Sequence, residues 1–240
     1  MNLFKQLWTI GHQLSPSLFL SLDFIRKNKN FERDLWIVQS FCNKTTISID
    51  VGVNQGIYSC FMARYSKEVV CFECNPLLYT RLESILPKNA SLHKIALSDC
   101  SGFAELRFDP SNTGIGTIEK NNLLVGNSGI KKVVTQNVPI KRLDDYSLTD
   151  VSFIKIDIEG HELQCLKGAE TLLNSFHPAL LIEIEERHCP GNLVAVPDFL
   201  RTFDYHPFIL SKNGLYLQPV LELNRHAQRG VNNFWFLPLI

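Results

Sequence analysis

From Thr45 onward, two kinds of patch alternate along the chain. Short runs dominated by apolar and β-branched residues, TTISIDVG (45–52), EVVCFEC (68–74), ASLHKIALS (90–98), SFIKIDIE (152–159) and PALLIEIEE (178–186), read as strands. Between them the apolar residues recur at spacings of three and four. GIYSCFMARYS (56–66) reads as a helix. A second helix opens on Asn75-Pro76, a side-chain cap followed by a residue with a preset φ, and carries Leu78, Leu82 and Ile85 on one face before Pro87 stops it. HELQCLKGAETLLNSF buries Leu163, Leu166, Ala169, Leu173 and Phe176 along one stripe. VPDFLRTFDY reads as a helix, and HPFIL, LYLQPV and NNFWFLP as extended pieces. The alternation pauses at GFAELRFD (102–109) and KKVVTQNVPI (131–140), two extended segments around a loop rich in Gly, Asn, Ser and Thr.

Repeated strand–helix units of this length predict an α/β fold, a doubly wound, mostly parallel sheet with helices on both faces. In such sheets ligands sit beyond the carboxyl ends of the strands. Residues 45–240 read as one domain. Residues 1–44, with Leu14, Leu18, Leu22 and Ile25 at helical spacing, read as an N-terminal helical extension that caps the fold, covers the site or makes a homo-oligomer contact.

One strand breaks the apolar pattern. In FIKIDIEGHE, Lys155, Asp157 and Glu159 fall at every second position, so all three charges project from one face. A dry core rejects three unpaired charges, each costing several kcal/mol, so this face is expected to look into a polar cleft. Two further strand ends carry similar chemistry. Asp50-Val51-Gly52-Val53-Asn54-Gln55-Gly56 places glycines where the backbone turns sharply before a helix, and Asp50 there favours a cationic ligand. Glu73, about 20 residues further on at the end of the next strand, stands where a carboxylate accepts both hydroxyl protons of a ribose. After the third strand, Ser98 and Asp99 are candidates to line an adenine ring, with Asp99 accepting from its exocyclic amine.

Composition narrows the classes. Lys+Arg and Asp+Glu are equal at 24 each and no basic run occurs, which argues against nucleic acid as a partner. The seven cysteines are scattered and mostly lie in apolar stretches, which suits reduced thiols in a cytoplasmic protein; Cys71 and Cys74 read as small core residues. No run of about 18 apolar residues occurs, and the N-terminus lacks a leader-like block, so no transmembrane segment is expected.

DVGVNQGIYS, VVCFECNP, IALSD, FIKIDIEGHELQCLKGAE and ALLIEIEE, in this order and spacing, resemble the FkbM family of S-adenosylmethionine-dependent methyltransferases. The likeness runs from about Thr45 to Glu186; Val53 and Cys74 depart from the family's usual Ala and Pro. The resemblance implies a class I methyltransferase (Rossmann-like) fold ending in an antiparallel strand, and O-methylation of a sugar, glycan, glycolipid or polyketide-like small molecule. It also implies that Asp50, Gly52, Asn54 and Gly56 cradle the amino-acid part of S-adenosylmethionine, Glu73 the ribose and Asp99 the adenine.

Alignment and removal of a hydroxyl proton are the protein's main tasks in such a transfer. Asp157 is the first candidate base, Lys155 its orienting partner and His161 the alternative base. Asp157, Glu159 and Glu183 could instead ligate a divalent cation, which the spacing does not demand. The acceptor is expected to enter over Asn112–Thr117, read as a loop. A nicotinamide-dependent oxidoreductase and a non-catalytic domain of the same fold are the alternatives.

Overall fold

A computed structural model of the chain describes residues 33–122, 124 and 132–238. The expected N-terminal helices, and the homo-oligomer contact assigned to them, fall mainly on residues 1–32, outside the described part. The strands in chain order begin with β1 (Ile47–Val51), β2 (Glu68–Phe72) and β3 (Ala90–His93). β4 (Ala96–Leu97), β5 (Gly102–Asp109), β6 (Asn112–Thr117) and β7 (Val134–Lys141) follow. β8 (Val151–Ile156), β9 (Ala179–Glu183), β10 (Tyr205–Leu210), β11 (Leu217–Pro219) and β12 (Asn233–Pro238) complete them.

The main sheet has the order β11-β10-β12-β9-β8-β1-β2-β3. β3, β2, β1, β8 and β9 are mutually parallel, and β12 is antiparallel to both of its neighbours. The order reverses at β1, where β8 rather than β2 continues the sheet, so the crevice expected at such a switch opens beside these strands.

Alternation along each strand divides the core into two layers. On one face Ile49, Val51, Ile154, Ile156, Leu180 and Phe234 pack with α4 (Glu162–Lys167), α5 (Glu170–Phe176) and α6 (Asn192–Arg201), which follow α1 (Leu35–Val38), α2 (Ile57–Met62) and α3 (Pro76–Ile85) in the chain. On the other face Val69, Cys71, Phe153, Leu181 and Trp235 pack against α1, α2 and α3. Asp50 and Lys155 stand opposite each other in register and share this second face by alternation.

Three local expectations are corrected. The run 90–98 is split between β3 of the main sheet and β4 of a second sheet, ordered β4-β7-β5-β6. The segment Asn112–Thr117, expected as a loop, is strand β6, antiparallel to β5. The long helix over 161–176 is broken at Gly168-Ala169: a Cβ at 168 would lie 2.0 Å from the Ser98 carbonyl oxygen, so the helix gives way where β4's end presses against it. All seven cysteines are free thiols; Cys60, Cys71, Cys165 and Cys189 are buried, whereas Cys42 and Cys74 are half-buried and Cys100 is exposed. Of the pair expected in the core, only Cys71 is fully buried there, and Cys74 lines the cavity at the carboxyl ends of the strands. No helix among the described residues is long and apolar enough to cross a membrane.

Candidate active site

A cavity of about 240 Å³ opens at the carboxyl ends of β1, β2 and β8. Gly52, Glu73, Asp157 and Glu183 are among the residues on its sheet side, and Thr113 and Gly114 of β6 roof it. A smaller pocket of about 90 Å³, lined by Asp50, Tyr58 and Lys155, adjoins it; both are bounded by Gly52, Asn54 and Asp157.

The turn after β1 is shaped by close approach. Gly52 has φ +83°, and a Cβ there would sit 1.8 Å from the carbonyl oxygen of Asp157, so only glycine lets the ends of β1 and β8 meet. Asn54 is also left-handed, at φ +49°, and its N–H donates to Glu73 Oε2 at 2.9 Å. Glu73 Oε1 accepts from Asn75 N at 2.7 Å. Glu73 therefore ties the first turn to the start of α3, and each carboxylate oxygen keeps lone-pair capacity for a ligand. Burial, partly offset by these N–H donors, raises its pKa. Gly56 (φ +81°) closes the same turn but does not line the cavity; its Cα faces Ile85 and Leu82.

The pocket floor carries an excess of carboxylates. Asp50 is buried, accepts a short hydrogen bond from Ser59 Oγ through Oδ2, and among the described residues has no hydrogen-bond partner for Oδ1. Burial lifts its pKa to about 6 against the pull of Lys155 and Ser59. Lys155 Nζ lies 2.8 Å from Asp157 Oδ2 and 4.8 Å from the Tyr58 ring centroid. For Asp157, burial alone would raise the pKa, but the Lys155 ammonium and the hydrogen bond from Glu183 outweigh it and hold the carboxyl below its usual range. Glu183 moves the opposite way: repulsion from Asp157, then burial, then the hydrogen bond to Asp157 raise it well above normal.

Of the other sequence candidates, Glu159 also lines the cavity, whereas Ser98, Asp99 and His161 lie elsewhere. Glu159 is past the end of β8, at φ +56°, so it does not continue the Lys155–Asp157 face; it pairs with His188 at 3.0 Å. Ser98 and His161 do not line the cavity, and Asp99 is exposed outside it. Ser98 Oγ lies 2.9 Å from His161 Nε2, and His161 Nδ1 lies 3.1 Å from Glu119 Oε2; all three line an open groove of about 860 Å³ on the other side of Ile118. Around Ala96, Leu97, Leu106 and Ile118 the cavity wall is apolar. Among the described residues no group of three or more His, Cys, Asp or Glu has an arrangement that could hold a metal ion. Asp157, Glu159 and Glu183 are engaged by Lys155, His188 and one another instead. Sequence reasoning set Asn112–Thr117 over the acceptor's entrance but as a loop rather than a strand, and weighed Glu183 only as a metal ligand. Its signal was present in IEIE, the same alternation of charge that drew attention to IKIDIE.

A family model described as the methyltransferase FkbM domain matches residues 50–210. Methyltransferase sdnD of Sordaria araneosa is 28% identical over 156 residues, covering 51% of this chain and 60% of that protein. Hexuronic acid methyltransferase AglP of Haloferax volcanii is 29% identical over 145 residues, covering 56% of this chain and 54% of that one. The chain thus matches a little over half the length of these curated relatives. A solved structure of methyltransferase FkbM from Methylobacillus flagellatus KT superposes with a TM-score of 0.54 at 15% identity, over 81% of this chain and 44% of that one; this is a likeness of fold.

Proposed function

The chain belongs to the methyltransferase FkbM domain family and has the class I, Rossmann-like methyltransferase fold, and from that premise we propose that it is an S-adenosylmethionine-dependent O-methyltransferase acting on a hydroxyl of a sugar, glycan, glycolipid or polyketide-like small molecule. The observation that carries this reading is the convergence of Asp50, Glu73 and Asp157, far apart in the chain, on two adjoining hollows at one rim of the sheet.

The residues suit the donor part by part. Glu73 offers its remaining lone pairs to the ribose hydroxyls, and the apolar wall of Ala96, Leu97, Leu106 and Ile118 suits the adenine ring. Asp50, buried with an orphan oxygen, suits the donor's ammonium, because a buried acceptor without a partner is costly until a cation or donor reaches it. Gly52 and Asn54 let that part of the ligand approach the backbone; Gly56 shapes the turn from outside. Bound there, S-adenosylmethionine would supply an electrophilic methyl group on a sulfonium.

Asp157 is the base in this reading. Lys155 keeps it ionised, and the cavity wall orients it toward an incoming hydroxyl. Its low pKa makes it a weak base, so alignment is expected to provide more of the acceleration, on the order of 7–11 kcal/mol in favourable cases, than proton removal, about 10²–10⁴-fold. His161, paired with Ser98 and Glu119 outside the cavity, is not used. The nicotinamide alternative wants a third glycine where this turn has Asn54.

Titration calorimetry with S-adenosylhomocysteine tests the donor half. Saturable heat that is lost in Glu73→Ala supports it, and no binding to a folded wild-type protein overturns it. Labelled methyl transfer to uronic acid glycans, glycolipids and polyketide-like alcohols then sorts the acceptors; the hexuronic acid specificity in the name of one relative puts uronic acids first.

A further inference from the structure

The two hollows that meet at Ile118 differ in charge. Glu73, Asp157, Glu159 and Glu183 line the cavity, and among the described residues no Lys, Arg or His does. The open groove is built differently. Phe103, Glu105 and Arg107 alternate along one face of β5 and line it, together with Cys100, Lys120 and Asn121. Arg107 is half-buried, and its Nη2 donates to the carbonyl oxygens of Glu119 and Asn122, the latter at 2.7 Å. Among the described residues Arg107 forms no ion pair, and neither does the exposed Lys120. Of the groove's two carboxylates, Glu119 is engaged by His161 Nδ1 and Asn121 N. Glu105 is exposed and does not pair with Arg107.

A guanidinium pinned by two backbone carbonyls has already lost its rotamer freedom, and its planar fork matches a carboxylate. Only Nη2 takes part in these contacts, so further N–H donors of Arg107 remain for a ligand. Phe103 is 72% exposed, a flat apolar plate at the groove on which the C–H face of a pyranose ring can stack. Asn121 and Lys120 add exposed polar groups beside it. An anionic sugar placed in the cavity would meet four carboxyl groups and no lining cation. In the groove it meets two cations without ion pairs among the described residues and one exposed carboxylate, Glu105.

We propose that the groove is a subsite for an acidic sugar of an oligosaccharide acceptor. One sugar of the acceptor enters the cavity, and its neighbour lies across Ile118 with its ring on Phe103 and its carboxylate on Arg107 and Lys120. This rests on the methyltransferase reading and deepens it, selecting an acidic oligosaccharide from the acceptors that reading admits. The labour is divided by charge. The carboxyl groups of the cavity accept from the hydroxyls of the reacting sugar, and the anionic group is held outside, where the cations are. Ser98, His161 and Glu119 satisfy one another as part of the groove wall and are not needed to hold the sugar.

Titration calorimetry of the folded protein with a hyaluronan tetrasaccharide, in which glucuronic acid alternates with a neutral N-acetylated sugar, tests the subsite without the methyl donor. Saturable heat is expected, and the carboxyl-reduced tetrasaccharide should bind about 10–100-fold more weakly, as for loss of a charge-assisted pair. Arg107→Gln should lose about as much. Because Arg107 also holds the chain at 119–122, Lys120→Gln and Phe103→Ala serve as variants at exposed positions, each weakening binding about 2–10-fold. Glu105→Gln removes the one repulsive neighbour and should tighten binding about 2–3-fold. Cys100, the exposed thiol of the seven, reports occupancy directly: its alkylation by iodoacetamide, followed by mass spectrometry, should slow as the tetrasaccharide saturates. No saturable heat, equal affinity for the carboxyl-reduced form, or unchanged Cys100 alkylation at saturation overturns the subsite. Titration with S-adenosylhomocysteine separates the two readings. Donor binding without tetrasaccharide binding overturns the subsite alone; tetrasaccharide binding without donor binding removes the transfer reaction and leaves the acidic-sugar site standing.

Discussion

Two buried polar clusters lie on either side of Ile118, which borders both the cavity and the open groove. On the groove side, Ser98, His161 and Glu119 are linked end to end, and the second oxygen of Glu119 accepts from Asn121 N at 3.0 Å. These contacts tie the end of β4, the chain after β6 and the start of α4. On the cavity side, Asp50 keeps an oxygen without a partner among the described residues, and Asp157 and Glu183 press two carboxyl groups together. Both clusters contain residues found in catalytic sites. A network whose members satisfy one another lowers the cost of burying them and holds elements together. A network left with surplus acceptors and like charges next to a hollow is costly until a cationic or hydrogen-donating ligand arrives.

Substitutions on the two sides should therefore separate chemistry from stability. The largest effect is expected for Asp157→Asn, which should cut methyl transfer by about 10²–10⁴-fold while S-adenosylhomocysteine affinity by calorimetry changes little. A variant that stays fast would erase the distinction between the clusters. Next comes Glu162, which lies under the turn joining them and accepts from Gly160 N at 2.8 Å and Asn192 Nδ2 at 3.2 Å. Burial raises its pKa from 4.5 to about 7. The folded state thus holds a proton that the unfolded state loses first, so this stabilisation is complete below the unfolded value and fades as pH rises toward 7. The swing is on the order of 3 kcal/mol, and Glu162→Gln should flatten it in urea unfolding measured across that window.

Glu73→Ala should weaken S-adenosylhomocysteine binding by about 10–100-fold, since it removes charge-assisted acceptors and frees the first turn from α3. The smallest effect sharpens the contrast. His161→Ala should cost about 1–2 kcal/mol in unfolding free energy, typical of a broken buried hydrogen-bonded link, and leave methyl transfer per folded molecule near wild type. A rate loss as large as that of Asp157→Asn would move the reacting centre toward the groove.

Local signals carried well where one strand or one turn was enough. The period-two runs marked β1, β2, β8 and β9, and Asn75-Pro76 marked the start of α3, where Asn75 Oδ1 caps Leu77 N at 3.1 Å. The same alternation that buried Phe153 brought Lys155 to the Asp50 face, so the charged strand end was visible in the chain. Signals failed where a residue's surroundings came from distant segments. Ser98 and His161 follow a strand and open a helix, as cofactor ligands often do, yet Glu119 claims His161 from 42 residues away. Asn112–Thr117 has loop composition, and pairing with β5 makes it a strand and a roof.

The amino-acid sequence by itself determined the order of elements, the faces of the strands and which strand ends carry carboxylates, because these depend on backbone period and near-neighbour chemistry. Only the tertiary structure decided which carboxylates meet a cavity, which are neutralised in passing and which one keeps its proton. Those outcomes depend on distances of a few ångströms between segments remote in the chain, where burial and a single neighbouring charge shift a protonation state more than residue type does.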